Sequence, residues 1–178
     1  MSTLAERLLA VHAALDAARF PHAFGGAIAL AYCTQEPRGT RDLDVNVFMA
    51  PDRADDVLDA LPSGVEIGPA ERAAAGRDGQ VRVMWDDTPI DLFFETHRFH
   101  REVAERITEV PFEGTTIPVL GCEDLTVFKA MFGRTRDWAD IEAILDAGVV
   151  DGPRVLDRLR SLLKGGDPAV DRLSALLH

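Results

Sequence analysis

Asp42 and Asp44 stand one residue apart in the run Gly39-Thr40-Arg41-Asp42-Leu43-Asp44-Val45-Asn46-Val47-Phe48, alternating with Leu43, Val45 and Val47. A period of two marks a half-buried strand. Residues two apart on a strand share a face, so the spacing sets two carboxylates side by side above an aliphatic underside. Such a pair repels itself unless something cationic lies between its oxygens. A hard divalent ion such as Mg²⁺ suits this arrangement, because it takes one or two carboxylates and completes its shell with phosphate and water. A strand with a wet face and two solvated acids would show the same spacing, so the pair alone does not decide. A third acid, Asp91, sits in Ile90-Asp91-Leu92-Phe93-Phe94, opposite in phase to the apolar Ile90, Leu92 and Phe94. On a neighbouring strand it would serve as a further metal ligand or as base for an attacking hydroxyl.

Elements of recognisable type must carry these groups. Thr3 with Glu6 forms a capping box, and Leu4, Leu8, Val11 and Leu15 recur at helical spacing, which predicts a helix over 3–19 ended by Pro21. His22-Ala23-Phe24 reads as a short strand, Gly25-Gly26 as a turn, and Ala27–Tyr32 as a helix. A glycine pair there lets backbone approach a ligand closely, and the helix behind it offers free N–H groups to a phosphate. A helix over 53–60 is expected behind Asp52, then a short strand near 65–67 and a mobile loop as far as Gly79. Gln80–Trp85 alternates as a strand and turns back through Asp86-Asp87 into the Asp91 strand. His97 and His100 lie three apart with no acid or cysteine at zinc-like spacing, so loop or helix-cap roles fit better than a metal pair. A helix over 99–106 and a hairpin around Glu113-Gly114 follow.

The last third is helical. Glu123-Asp124 open a helix through Leu125, Phe128 and Phe132, with Lys129 inside it. Arg136–Ala147 forms another, and Asp151 and Asp167-Pro168 each start one more. Arg134, Arg136, Asp137 and Asp140 are spaced for surface ion pairs as well as for chemistry. Strands first and helices after predict an α+β fold: a mixed sheet flanked by helices, then a C-terminal helical bundle. The expected organisation is a catalytic core over 1–121 and a helical subdomain over 122–178 packed on it.

The 178 residues are 47% apolar, enough for a proper core, and the formal net charge is −11. That charge disfavours nucleic-acid binding by a diffuse basic surface, though not a local basic cleft. Cys33 and Cys122 have no CxxC pairing, so neither a disulfide framework nor a zinc site is expected. No apolar leader or membrane-spanning run is present, which leads us to expect a cytoplasmic protein with no membrane partner.

Gly25-Gly26, Arg38-x-Thr40-x-Asp42-Leu43-Asp44 and Ile90-Asp91-Leu92-Phe93, in that order, resemble the nucleotidyltransferase (polymerase-β-like) superfamily. Lys129-Ala130 and Arg134-x-Arg136-Asp137-x-x-Asp140 resemble the helical signature of its AbiEii/MenT branch, the nucleotidyltransferase toxins of bacterial toxin–antitoxin systems; Arg136 stands where that branch often has lysine. The resemblance implies transfer of a nucleoside monophosphate from an NTP with release of pyrophosphate. Carried over by position, Asp42, Asp44 and Asp91 would hold one or two Mg²⁺. Gly25, Gly26, Arg38, Thr40, Lys129, Arg134 and Asp137 would hold the nucleotide. Asp42, Asp44, Asp91, Lys129 and Asp140 would carry catalysis. Such chemistry rests on positioning and charge neutralisation, which acids for metal and Arg or Lys for phosphate provide. The acceptor implied by the branch is the 3′ end of tRNA, modified with a pyrimidine nucleotide, with a cognate antitoxin as partner and no DNA. The competing expectation is a small-molecule nucleotidyltransferase of the aminoglycoside or lincosamide type. A silent NTP-binding relative is a third, disfavoured because it would have no need to keep repelling carboxylates.

Overall fold

Thr3 accepts from the Glu6 N–H while the Glu6 carboxylate accepts from the Thr3 N–H, and this reciprocal cap starts α1 (Leu4–Ala17) in the computed structural model, which describes residues 2–178. Leu8, Val11 and Leu15 on one face of α1 are fully buried, the stripe that fixes the helix to the sheet. β1 (His22–Phe24) leads through Gly25 directly into α2 (Gly26–Thr34), and β2 (Leu43–Val47) follows a polar loop. α3 (Ala54–Ala60) and the two-residue β3 (Val65–Glu66) come next.

The stretch expected to be a mobile loop is instead α4 (Pro69–Asp78). Pro69 occupies the first turn, the Glu71 carboxylate accepts from the Gly68 N–H, and Gly79 closes the helix at φ +65°. These are ordinary start and stop signals. Periodicity does not reveal them, because Ala-, Gly- and Arg-rich content gives α4 almost no apolar stripe; only Ala75 is buried.

β4 (Gln80–Trp85) and β5 (Thr88–Phe94) form the expected hairpin. Buried Arg7 locks it, donating to the Trp85 carbonyl, Asp86, Asp87 and the Thr88 hydroxyl. α5 (Arg98–Val103) is capped by the His97 side chain, and β6 (Thr108–Phe112) pairs with β7 (Thr115–Val119). The chain ends in α6 (Cys122–Phe132), α7 (Thr135–Asp146), α8 (Gly152–Leu162) and α9 (Pro168–Leu176).

The strands make one mixed sheet in the order β3-β4-β5-β2-β1-β7-β6. β2 runs antiparallel to β1 and parallel to β5, and the parallel pair needs the crossover that α3, β3, α4 and β4 supply. Leu43, Val45, Val47, Ile90, Leu92 and Phe94 point to the buried face, as their period of two requires. α6 and α7 lie against α2. Cys33 at the end of α2 is bonded to Cys122 at the start of α6, with Cα atoms 5.6 Å apart. That bridge corrects the expectation of two unrelated cysteines, for 89 residues separate them and spacing in sequence says nothing about meeting in space.

Candidate active site

β2 and β5 run parallel in a register that sets Leu43 beside Ile90, Asp44 beside Asp91 and Asn46 beside Phe93. Across β5, antiparallel β4 sets Arg82 beside Asp91 and Gln80 beside Phe93. The face opposite the core is therefore a grid of two rows. One row is Asp44, Asp91 and Arg82; the other is Asn46, Phe93 and Gln80. α4 stands on one side of this floor and α6 on the other, enclosing a cleft of about 930 Å³ that also reaches Gly26, Lys129, Arg134 and Asp137.

Gly26 shows why the glycine pair is needed. Its φ is +50°, and a Cβ there would lie 1.8 Å from Asp44 Oδ2. The start of α2 thus rests directly on the carboxylate, with the Gly25 N–H donating to the Asp44 carbonyl at 2.8 Å. The N–H groups of the first turn of α2 have no partner inside the helix and open beside Asp44. Asp44 itself is pushed up from its usual 3.8 to about 6, first by burial and then by the charges of Asp42 and Asp91. A carboxyl held at that level is poorly accommodated as an anion unless a cation joins it.

Asp42 lies just before β2, not on it, and the Thr40 hydroxyl donates to its carboxylate. Asp91 receives a two-pronged contact from Arg82, at 2.7 and 2.6 Å. Among the described residues no three acidic, His or Cys side chains converge as a ready metal cage. A Mg²⁺ ion would find oxygen donors in Asp42 and Asp44, with the rest of its shell left to substrate phosphate and water.

Buried Lys129 reaches Asp140 at 2.6 Å and Asp137 at 3.7 Å. Arg38 forks onto the same Asp140, at 2.5 and 2.9 Å. Arg134 forks onto Asp137 and lies 5.3 Å over the Phe132 ring. Burial works to raise Asp137, but Arg134 and Lys129 outweigh it and hold the acid below the usual carboxylate range. Of the expected residues, Gly26, Asp44, Asp91, Lys129, Arg134 and Asp137 face the cleft. Gly25, Arg38, Thr40, Asp42 and Asp140 stand behind them: Thr40 orients Asp42, while Arg38 and Asp140 brace Lys129 and tie the β2 approach loop to α7.

Several cleft residues were missed from the sequence. Arg82 and Gln80 could have been found, since their phase opposes Val81 and Val83 across the strand that pairs with Asp91. Asn46 could have been found as the residue after Asp44 on the same face. His100 could not: its Nδ1–H donates to the Phe94 carbonyl at 2.8 Å and its Nε2 lies 3.0 Å from the Asn46 side-chain amide, 54 residues away. Burial lowers the His100 pKa, and both ring nitrogens are engaged, by the Phe94 carbonyl and by Asn46, so the ring serves as a prop under Asn46.

The fold has counterparts among solved structures. A crystal structure of ANT(2")-Ia in complex with adenylyl-2"-tobramycin superposes with a TM-score of 0.64 at 14% identity, over 90% of this chain and 96% of that one. The fold is nucleotidyltransferase-like. An antigenic nucleotidyltransferase-like protein from Paracoccidioides brasiliensis gives 0.56 at 15% identity, over 96% and 86% of the two chains. The lincosamide antibiotic adenylyltransferase LnuA, lincomycin-bound, gives 0.54 at 12% identity, over 79% and 96%. No protein-family model matches the chain, and no curated protein matches it in sequence.

Proposed function

We propose that the protein is a metal-dependent nucleotidyltransferase that transfers a nucleoside monophosphate from an NTP to a hydroxyl of a small molecule. The observation that carries this is the convergence, in one cleft, of the Gly26 helix start, the Asp44–Asp91 pair and the Lys129 and Arg134 cations. The first turn of α2, Lys129 and Arg134 bind the triphosphate. Asp42 and Asp44 would hold a Mg²⁺ ion, which would supply charge neutralisation for the phosphates and the leaving group. The acceptor oxygen forms a bond to the α-phosphorus as the α–β bridging P–O bond breaks. Pyrophosphate takes that electron pair, and the hydroxyl proton passes to a carboxylate oxygen of Asp91. Arg82 holds that carboxylate in place beside Asp44 and must yield one of its two contacts as the proton arrives.

The small-molecule acceptor is favoured over tRNA by where the arginines lie. The arginines that could have made a basic patch are not left over for an acceptor's phosphates: Arg38 is held by Asp140, and Arg134 is shared between Asp137 and the triphosphate. Among the described residues near the cleft, Arg41 and Arg136 are exposed without a carboxylate within 4.0 Å, too few to offset a net charge of −11. ANT(2")-Ia and LnuA, whose own structures hold small molecules, match this chain over nearly their full length. The toxin reading, with a tRNA acceptor, a pyrimidine NTP and an antitoxin, stands second.

The deciding experiment incubates the purified chain with Mg²⁺, each labelled NTP in turn, and either a small-molecule hydroxyl panel or total bacterial tRNA. Label is expected in a small molecule and absent with Asp44→Ala or Lys129→Ala. Label in RNA would restore the toxin reading. Undiminished transfer by Asp44→Ala would remove the metal assignment.

A further inference from the structure

The second row of the cleft floor has a chemistry of its own. Asn46, Phe93 and Gln80 lie in register across β2, β5 and β4, giving amide, aromatic ring and amide in line. None carries charge. Asn46 lines the cleft at 6% exposure, its Oδ1 3.0 Å from His100 Nε2 and its Nδ2 beside Gly25 at the start of α2. Gln80 is exposed and its side chain is free. Phe132, 49% exposed on α6, stands 5.8 Å from Phe93 with the rings inclined at 54°, so the two form an open aromatic corner.

The acids around this corner are engaged. Glu71 caps α4 through the Gly68 N–H, Asp78 pairs with Arg77, Asp91 with Arg82, and Asp137 with Arg134 and Lys129. Asp44 would be taken by the metal on the transfer reading. A polycationic acceptor would have to displace Arg77, Arg82, Arg134 or Lys129 to pair with any of these acids but Glu71, with little net gain.

We infer that the Asn46–Phe93–Gln80 row is the acceptor subsite, and that it takes an uncharged ring bearing vicinal hydroxyls, a sugar or cyclitol. The inference rests on the transfer reading above. An amide offers both a donor and an acceptor, as adjacent hydroxyls require, and a ring face lies against Phe93. The phosphate-binding groups lie on the β2 and α6 side of Asp44. In-line displacement therefore brings the hydroxyl from the β5 and β4 side. Residues two apart on β5 are about 7 Å apart, so a ring on Phe93 carries its hydroxyls over Asp91.

The test is saturation-transfer NMR on the intact protein with methyl α-glucoside and myo-inositol as neutral probes and kanamycin as a polycation, each with and without Mg²⁺ and a non-hydrolysable ATP analogue. Nucleotide binding is followed separately by thermal shift. The neutral probes are expected to take up saturation equally at low and physiological salt. Their affinity should weaken about tenfold in Phe93→Ala, and also fall in Gln80→Ala, an exposed change that leaves the sheet intact. The shift given by the analogue should be unchanged in both variants. Stronger, salt-sensitive saturation of kanamycin would overturn the inference, as would no saturation of either neutral probe. Loss of the analogue's shift in Phe93→Ala would assign the row to the nucleobase and overturn it too. A wild-type chain that binds neutral probe but no nucleotide would sink the transfer reading while leaving a ring-binding site.

Discussion

Asp44 is expensive to keep. Its carboxyl is shifted from 3.8 to about 6, which makes the ionised form cost about 3 kcal/mol in the empty fold at neutral pH. The sign follows from proton counting. Below about pH 4 both folded and unfolded chains hold the proton and the cost vanishes. Between about 4 and 6 the folded chain holds a proton that the unfolded one has lost, so stability falls as pH rises. Buried His22 and His100, whose pKa values burial lowers, act oppositely: their contribution is lost as pH falls below about 6.5. Comparing wild type with Asp44→Asn isolates the acid. The variant should unfold several degrees higher at pH 7.5 and at the wild-type temperature at pH 4, by calorimetry without metal. Equal stabilities at both pH values would show that Asp44 is well solvated. That Asp44 and Asp91 would share one face of the sheet was legible from their phase against aliphatic residues on two strands. Their partners were not. Arg82 meets Asp91, and Arg38 and Lys129 share Asp140, only through pairings that strand register and helix packing create.

Elements were legible where they carry a stripe. α1, β2, β5 and α7 announce themselves by periodicity, whereas α4 has caps without a stripe and looks like loop in sequence. The lesson of α4 is physical: its helical form comes from its ends and from packing beside β4, not from an amphipathic face. The Cys33–Cys122 bridge is another feature of elements, joining α2, whose N-terminus faces Asp44, to α6, which carries Lys129. It closes a loop with a sequence separation of 89 residues, for which chain entropy alone suggests about 4 kcal/mol. Dithiothreitol is therefore expected to lower the melting temperature by on the order of 10 °C. A Cys33→Ala/Cys122→Ala variant should start near that lower value and ignore the reductant. A wild-type melting point indifferent to dithiothreitol would mean that the thiols are not joined in solution.

At the scale of the whole molecule, charge decides which acceptors can approach. A chain with a net charge of −11 repels a polyanion at long range, and only a concentrated basic surface could reverse that. The fold distributes its cations the other way. Arg7 is consumed by the β4–β5 turn, Arg106 and Arg158 by buried Asp124, and Arg38 and Arg134 by the acids that brace Lys129. Each pairing was invisible in composition, which counts arginines without saying what they face. A tRNA-modifying enzyme neutralises several phosphates and loses affinity steeply as salt rises, with a log–log slope of roughly −0.7 to −0.9 for each. This molecule should show no retention of tRNA by filter binding at physiological salt, and a slope of about −1 or shallower if weak binding appears at low salt. Arg41→Ala/Arg136→Ala should hardly change it. A slope of several units, flattened by that double change, would mean that the two exposed arginines nucleate a real polynucleotide surface and that the acceptor is RNA after all.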